Sequence, residues 1–89
     1  MDWERYGYVV ASDYRKKIVS MLAKGEKTPA QMAEEAGIYL SHVCATLSDL
    51  TKKGLVTCLT PTLRRGKIYS LTKEGREVLE KLKELEELR

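Results

Sequence analysis

Residues 28–75 read TPAQMAEEAGIYLSHVCATLSDLTKKGLVTCLTPTLRRGKIYSLTKEG, and the order of elements in this stretch decides the fold. Thr28-Pro29 is a helix start, with Thr as N-cap and Pro at the first helical position, where its missing N–H costs nothing. Met32, Ala33 and Ala36 line one face of this short helix, and Glu34 and Glu35 look outward. Gly37 permits the left-handed residue that ends it. A further helix spans about Leu40 to Lys53, with Val43, Leu47 and Leu50 at i, i+4 and i+7 as its core stripe. Lys52 and Lys53 oppose the negative end of the helix dipole, and Gly54 stops the helix.

Two short strand-like runs follow. Leu55, Val56, Cys58 and Leu59 form the first, and Ile68, Tyr69 and Leu71 the second. Between them lies a hairpin tip, Thr60-Pro61-Thr62-Leu63-Arg64-Arg65-Gly66-Lys67, longer than a two-residue turn and strongly basic. Thr72 then caps a last helix, with Glu74 in its first turn.

Working outward, Ser12 reads as the N-cap of an earlier helix whose inner face is Tyr14, Ile18, Met21 and Leu22, and Gly25 ends it. The lead-in holds Trp3, Tyr6, Tyr8 and Val10 in partial alternation, which predicts either a short strand or an extended arm on the core. The last helix carries Val78, Leu79, Leu82, Leu85 and Leu88 at spacings of three and four. From Thr72 to Arg89 it would be roughly 27 Å long at 1.5 Å per residue. Its distal half projects beyond what so small a core needs, so the stripe predicts a helix pair in a homodimer. The pattern predicts a division at 1–71, the helices and hairpin with an N-terminal arm, and 72–89, a dimerisation helix. The class is α+β: three core helices, a two-stranded hairpin and a C-terminal helix.

In a helix-turn-helix the second helix enters the major groove and presents its N-terminal half. With Val43, Leu47 and Leu50 committed to the core, Leu40, Ser41, His42, Cys44, Ala45 and Thr46 are the candidates to face DNA. Ser41 and Thr46 suit base edges or phosphates, and Leu40 or Ala45 suits a thymine methyl. No Arg or Lys lies on this face. The cations are in the hairpin tip, where Arg64, Arg65 and Lys67 would meet the DNA backbone or the adjacent minor groove, with Gly66 allowing close approach. Thr28, Gln31, Arg15, Lys16 and Lys17 are candidates for further phosphate contacts.

Composition fits this placement. The 89 residues carry a formal charge of +3. Residues 1–70 hold eleven Lys/Arg against seven Asp/Glu, and residues 71–89 hold five against six, so the basic surplus lies in the DNA-facing part. No apolar run approaches the roughly 20 residues of a membrane span. Met1-Asp2-Trp3-Glu4-Arg5 lacks the basic and apolar regions of a signal peptide, which predicts a cytoplasmic protein. Asn is absent, Gln31 is the one Gln, and Lys and Glu are abundant, a composition that leans towards a thermophilic source.

Cys44 and Cys58 are too few for a disulfide scaffold and read as buried free thiols. In a hyperthermophile an intracellular disulfide would be compatible with the compartment. His42 and Cys44 are two apart on a helix and diverge by about 200°, so they do not share one metal. No phosphate-cradling loop, paired carboxylates or activated nucleophile is present, so the sequence predicts no enzyme, no metal and no cofactor.

Thr28–Ala33, Ser41–Val43, Leu47–Val56 and Tyr69–Gly75 together resemble the winged helix-turn-helix transcriptional regulators of the ArsR/MarR-like superfamily, particularly its short archaeal members. The resemblance extends over about residues 10–80. It implies a homodimer on double-stranded promoter DNA, with Ser41, Cys44, Ala45 and Thr46 in the recognition helix and Arg64, Arg65 and Lys67 in the wing. Ala45 stands where many relatives carry Arg, and the paired-cysteine motif of the metal sensors is absent. Two alternatives stay open: a winged-helix module that binds a protein, and a redox-responsive regulator acting through its cysteines.

Overall fold

The computed structural model describes residues 2–87. Along the chain run α1 (Trp3–Val10), α2 (Asp13–Leu22), α3 (Pro29–Ala36), α4 (Leu40–Lys52), β1 (Val56–Cys58), β2 (Tyr69–Leu71) and α5 (Lys73–Glu87). The result is an α+β winged helix-turn-helix, as expected.

The helix starts follow local chemistry. The Ser12 hydroxyl accepts the Arg15 amide to cap α2. At α3 the Thr28 hydroxyl accepts the Gln31 amide at 3.2 Å while Gln31 Oε1 accepts the Thr28 amide at 2.9 Å, a full capping box. Gly37 closes α3 with φ 67°, a left-handed conformation that a side chain would strain. Val56, Thr57 and Cys58 pair antiparallel with Leu71, Ser70 and Tyr69. Lys27 extends this ribbon by bridging to the far side of Tyr69, with reciprocal backbone bonds of 2.9 and 3.2 Å. The α2–α3 connection is thereby tied to the wing, a link with no sequence signature.

Val9, Ile18, Val19, Leu22, Met32, Val43, Leu47, Leu50, Leu55, Val56, Leu71, Val78 and Leu82 form one core. Thr72 locks the wing to α5: its hydroxyl donates to the Gly54 carbonyl at 2.6 Å and accepts the Gly75 amide at 3.1 Å.

The N-terminal expectation is corrected. Residues 3–10 are a helix, not a strand or an extended arm. The Asp2 carboxylate accepts the Glu4 and Arg5 amides as N-cap, and Val9 is fully buried, with Tyr6, Tyr8 and Val10 packed beside it. Two arginines fasten α1, one reaching from it to the end of α4 and one reaching to it from α2. Arg5 Nε donates to the Lys53 carbonyl at 2.8 Å, and Arg15 donates to the Tyr8 carbonyl at 2.8 Å while its guanidinium lies 3.7 Å from the Tyr8 ring centroid. Arg15 is thus engaged within the chain rather than free for phosphate. Tyr14, expected on the inner face of α2, is partly exposed at the surface.

The α5 stripe is also reassigned in part. Val78 and Leu82 are 2% and 7% exposed and belong to the core of their own chain. They are therefore not surface contacts for a second copy. Leu79 and Leu85 are half-buried, and Leu88 lies outside the described residues.

Candidate nucleic-acid interface

Burial sorts the α4 candidates by their angle around the helix. Val43, Leu47 and Leu50 face inward, so the opposite side presents Ser41, Ala45 and Ser48, all exposed. Leu40 and Cys44 flank this face on the wing side, and His42 on the α2 side. Thr46 is a correction: it is 8% exposed and its hydroxyl donates to the His42 carbonyl at 2.8 Å. Three residues beyond Val43 and four before Leu50, it lies on the core stripe. Returning its proton to the i−4 carbonyl satisfies the hydroxyl there.

The wing tip folds back over the helix-turn-helix. Leu59 donates to Ile68 at 2.7 Å, and the Ile68 amide donates to the Thr60 hydroxyl at 2.9 Å, which closes the hairpin base. Beyond that base the tip residues 61–66 are exposed. A groove of about 480 Å³ runs between the start of α3 (Thr28, Pro29, Ala30), the wing-side flank of α4 (Leu40, Cys44) and the wing itself (Arg64, Arg65, Gly66, Lys67), with Tyr69 at its floor. Three cations and the N-termini of two helices therefore converge on one open channel, an arrangement that attracts a polyanion.

Thr28 lines this groove while engaged with Gln31 in the α3 capping box, and Gln31, exposed, is not among the groove residues. The cysteine expectation is corrected as well. Both thiols are free, but Cys44 is exposed in the groove and Cys58 is half-buried on β1. Cys44 points outward because it is one residue past Val43, which rotates it off the core stripe. Burial raises the Tyr69 phenol above its ordinary pKa of 10.0, reinforced by Cys58 and then Cys44 nearby.

Tyr39 is the residue the sequence reading missed. It stands at the N-cap of α4, makes no side-chain capping bond and is 78% exposed. The His42 ring meets it edge-on, with centroids 5.8 Å apart, and stacks at a tilt on Tyr14 at 5.3 Å. Its signal was present: a large aromatic just outside the periodic apolar stripe.

The family model described as winged helix-turn-helix matches residues 15–89. No curated protein matches the chain in sequence. Among solved structures, it is similar to the homodimeric winged helix-turn-helix DNA-binding domain Mb0332 from Mycobacterium bovis, a possible ArsR-family transcriptional regulator. That match has 27% identity and a TM-score of 0.74, covering 96% of this chain and 80% of the other. It is also similar to ZitR from Lactococcus lactis, at 25% identity and a TM-score of 0.77, over 85% of this chain and 53% of that one. The transcriptional regulator BldR from Sulfolobus solfataricus matches at 25% identity and a TM-score of 0.75, over 96% and 63%. The chain thus spans little more than half the length of ZitR.

Proposed function

The chain belongs to the winged helix-turn-helix family, and from that premise we propose that it is a DNA-binding transcription regulator acting as a homodimer, without enzymatic activity. The first turns of α4 enter the major groove, and Arg64, Arg65 and Lys67 hold the phosphate backbone or the adjacent minor groove. The observation that carries this is the groove in which the three wing cations face Leu40 and Cys44 of α4. The transcriptional regulator BldR and the DNA-binding domain Mb0332 share the architecture, and the latter is homodimeric.

Selecting bound fragments from the source genome at two salt concentrations tests the proposal. Enrichment of discrete promoter fragments, weakening as salt rises, is expected. No enrichment at low salt would favour a protein-binding module instead.

A second reading rests on Cys44, a free thiol exposed in that same groove. Oxidation or alkylation there would add bulk and polarity where DNA docks. Identical DNA affinity with and without reductant removes it.

A further inference from the structure

We infer that Tyr39 determines sequence specificity, its ring reading the 5-methyl group of thymine in the major groove. This rests on the DNA-binding reading above and adds to it the chemistry of the target: sites recognised through thymine methyls rather than through guanine.

Tyr39 is an exposed aromatic that folding does not explain. It is 78% exposed and contributes nothing to the core. As N-cap of α4 it is extended, at φ −65° and ψ 141°, so its side chain projects from the end of the helix that would meet base edges. The ring is nevertheless held. His42, one turn on in α4, packs edge-on against it at 82°, and His42 is backed by Tyr14 from α2, so two helices brace one surface ring. A braced ring loses little freedom on docking.

The surroundings select the occupant. Residues 40–48 contain no carboxylate, and on the other flank of α4, across the groove lined by Leu40 rather than Tyr39, stand Arg64, Arg65 and Lys67. This field fits a polyanion. The face lacks Arg and Lys for guanine and Asn and Gln for adenine. Of the distinct features of the major groove, the thymine methyl is the one an apolar ring reads best.

The test uses duplexes selected by the full chain from a random pool, each then remade with deoxyuridine for thymine. That exchange removes the methyl and preserves pairing. Wild-type affinity is expected to fall about threefold to fivefold per contacted methyl. Tyr39→Phe should keep this dependence. Tyr39→Ala should bind the two duplexes equally and both more weakly than wild type binds the thymine form, with an unchanged melting temperature. Equal wild-type binding to both duplexes overturns the inference while leaving DNA binding intact. So does methyl dependence that survives in Tyr39→Ala, or a Phe variant that behaves like Ala, which would mark a hydroxyl–phosphate contact. Failure to select any duplex would instead overturn the reading beneath it.

Discussion

A methyl group added at Gly75 would collide with the carbonyl of Leu55, the same oxygen that accepts the Thr72 amide. It would also press within 3.1 Å of the Leu55 carbonyl carbon and of Leu71 Cδ2. Neither backbone nor buried leucine yields easily at this junction of wing and α5. Gly75→Ala is therefore expected to destabilise the fold by about 2–3 kcal/mol, read as a lower urea midpoint at unchanged slope. Tyr69, the first residue of β2, gives a pH dependence. Its phenol is held protonated above 10.0, chiefly by burial, so the unfolded chain ionises first. The resulting stabilisation is complete below about pH 10 and is lost as pH rises through the higher folded pKa. Denaturation followed from pH 8 to 11.5 should show this decline, and Tyr69→Phe should lessen it.

At the scale of elements, α4 and α1 show where sequence patterns suffice and where they do not. The α3 start was legible because Thr28-Pro29 has a single structural meaning, and the Val43–Leu47–Leu50 stripe placed α4 to within a residue of its observed end at Lys52. Thr46 was not legible as core, because a threonine on an apolar stripe satisfies its hydroxyl on the preceding turn as readily as it faces solvent. In α1 both periodicities fit: Trp3, Tyr6, Tyr8 and Val10 nearly alternate, yet Tyr6, Val9 and Val10 share a helical face. The Asp2 cap decided between them. The bridge from Lys27 to Tyr69 was invisible because it depends on tertiary proximity alone. These assignments separate two substitutions. Thr46→Val is expected to leave DNA affinity within about twofold, because its side chain points into the fold. Ala45→Asp, on the exposed face, is expected to lower affinity by about tenfold at an unchanged melting temperature, through repulsion between carboxylate and phosphate. Parallel fluorescence-anisotropy titrations of the two variants check the pair.

Two surfaces of the whole molecule stand out: the wing cations Arg64, Arg65 and Lys67 beside α4, and an α5 whose apolar stripe is incompletely buried. Leu79 and Leu85 of α5 remain half-buried, and Trp3 of the adjoining α1 stays exposed beneath Lys81, whose ammonium lies 5.4 Å from its ring. We propose that a second copy covers this side, and Leu85→Glu is expected to convert a dimer to a monomer in light scattering at tens of micromolar. A wild-type monomer at that concentration would remove the pairing. At the wing, we propose that Arg64, Arg65 and Lys67 hold DNA more strongly than the uncharged face of α4 does. The most direct measurement is the salt dependence of affinity for a selected duplex, wild type against Arg64→Ala with Arg65→Ala. Each phosphate contact contributes about 0.9 to the slope of log affinity against log salt, so the double variant should lose about 2 per protomer from a steep negative slope while melting like wild type. An unchanged slope in the double variant, or a wild-type affinity insensitive to salt, would contradict the account.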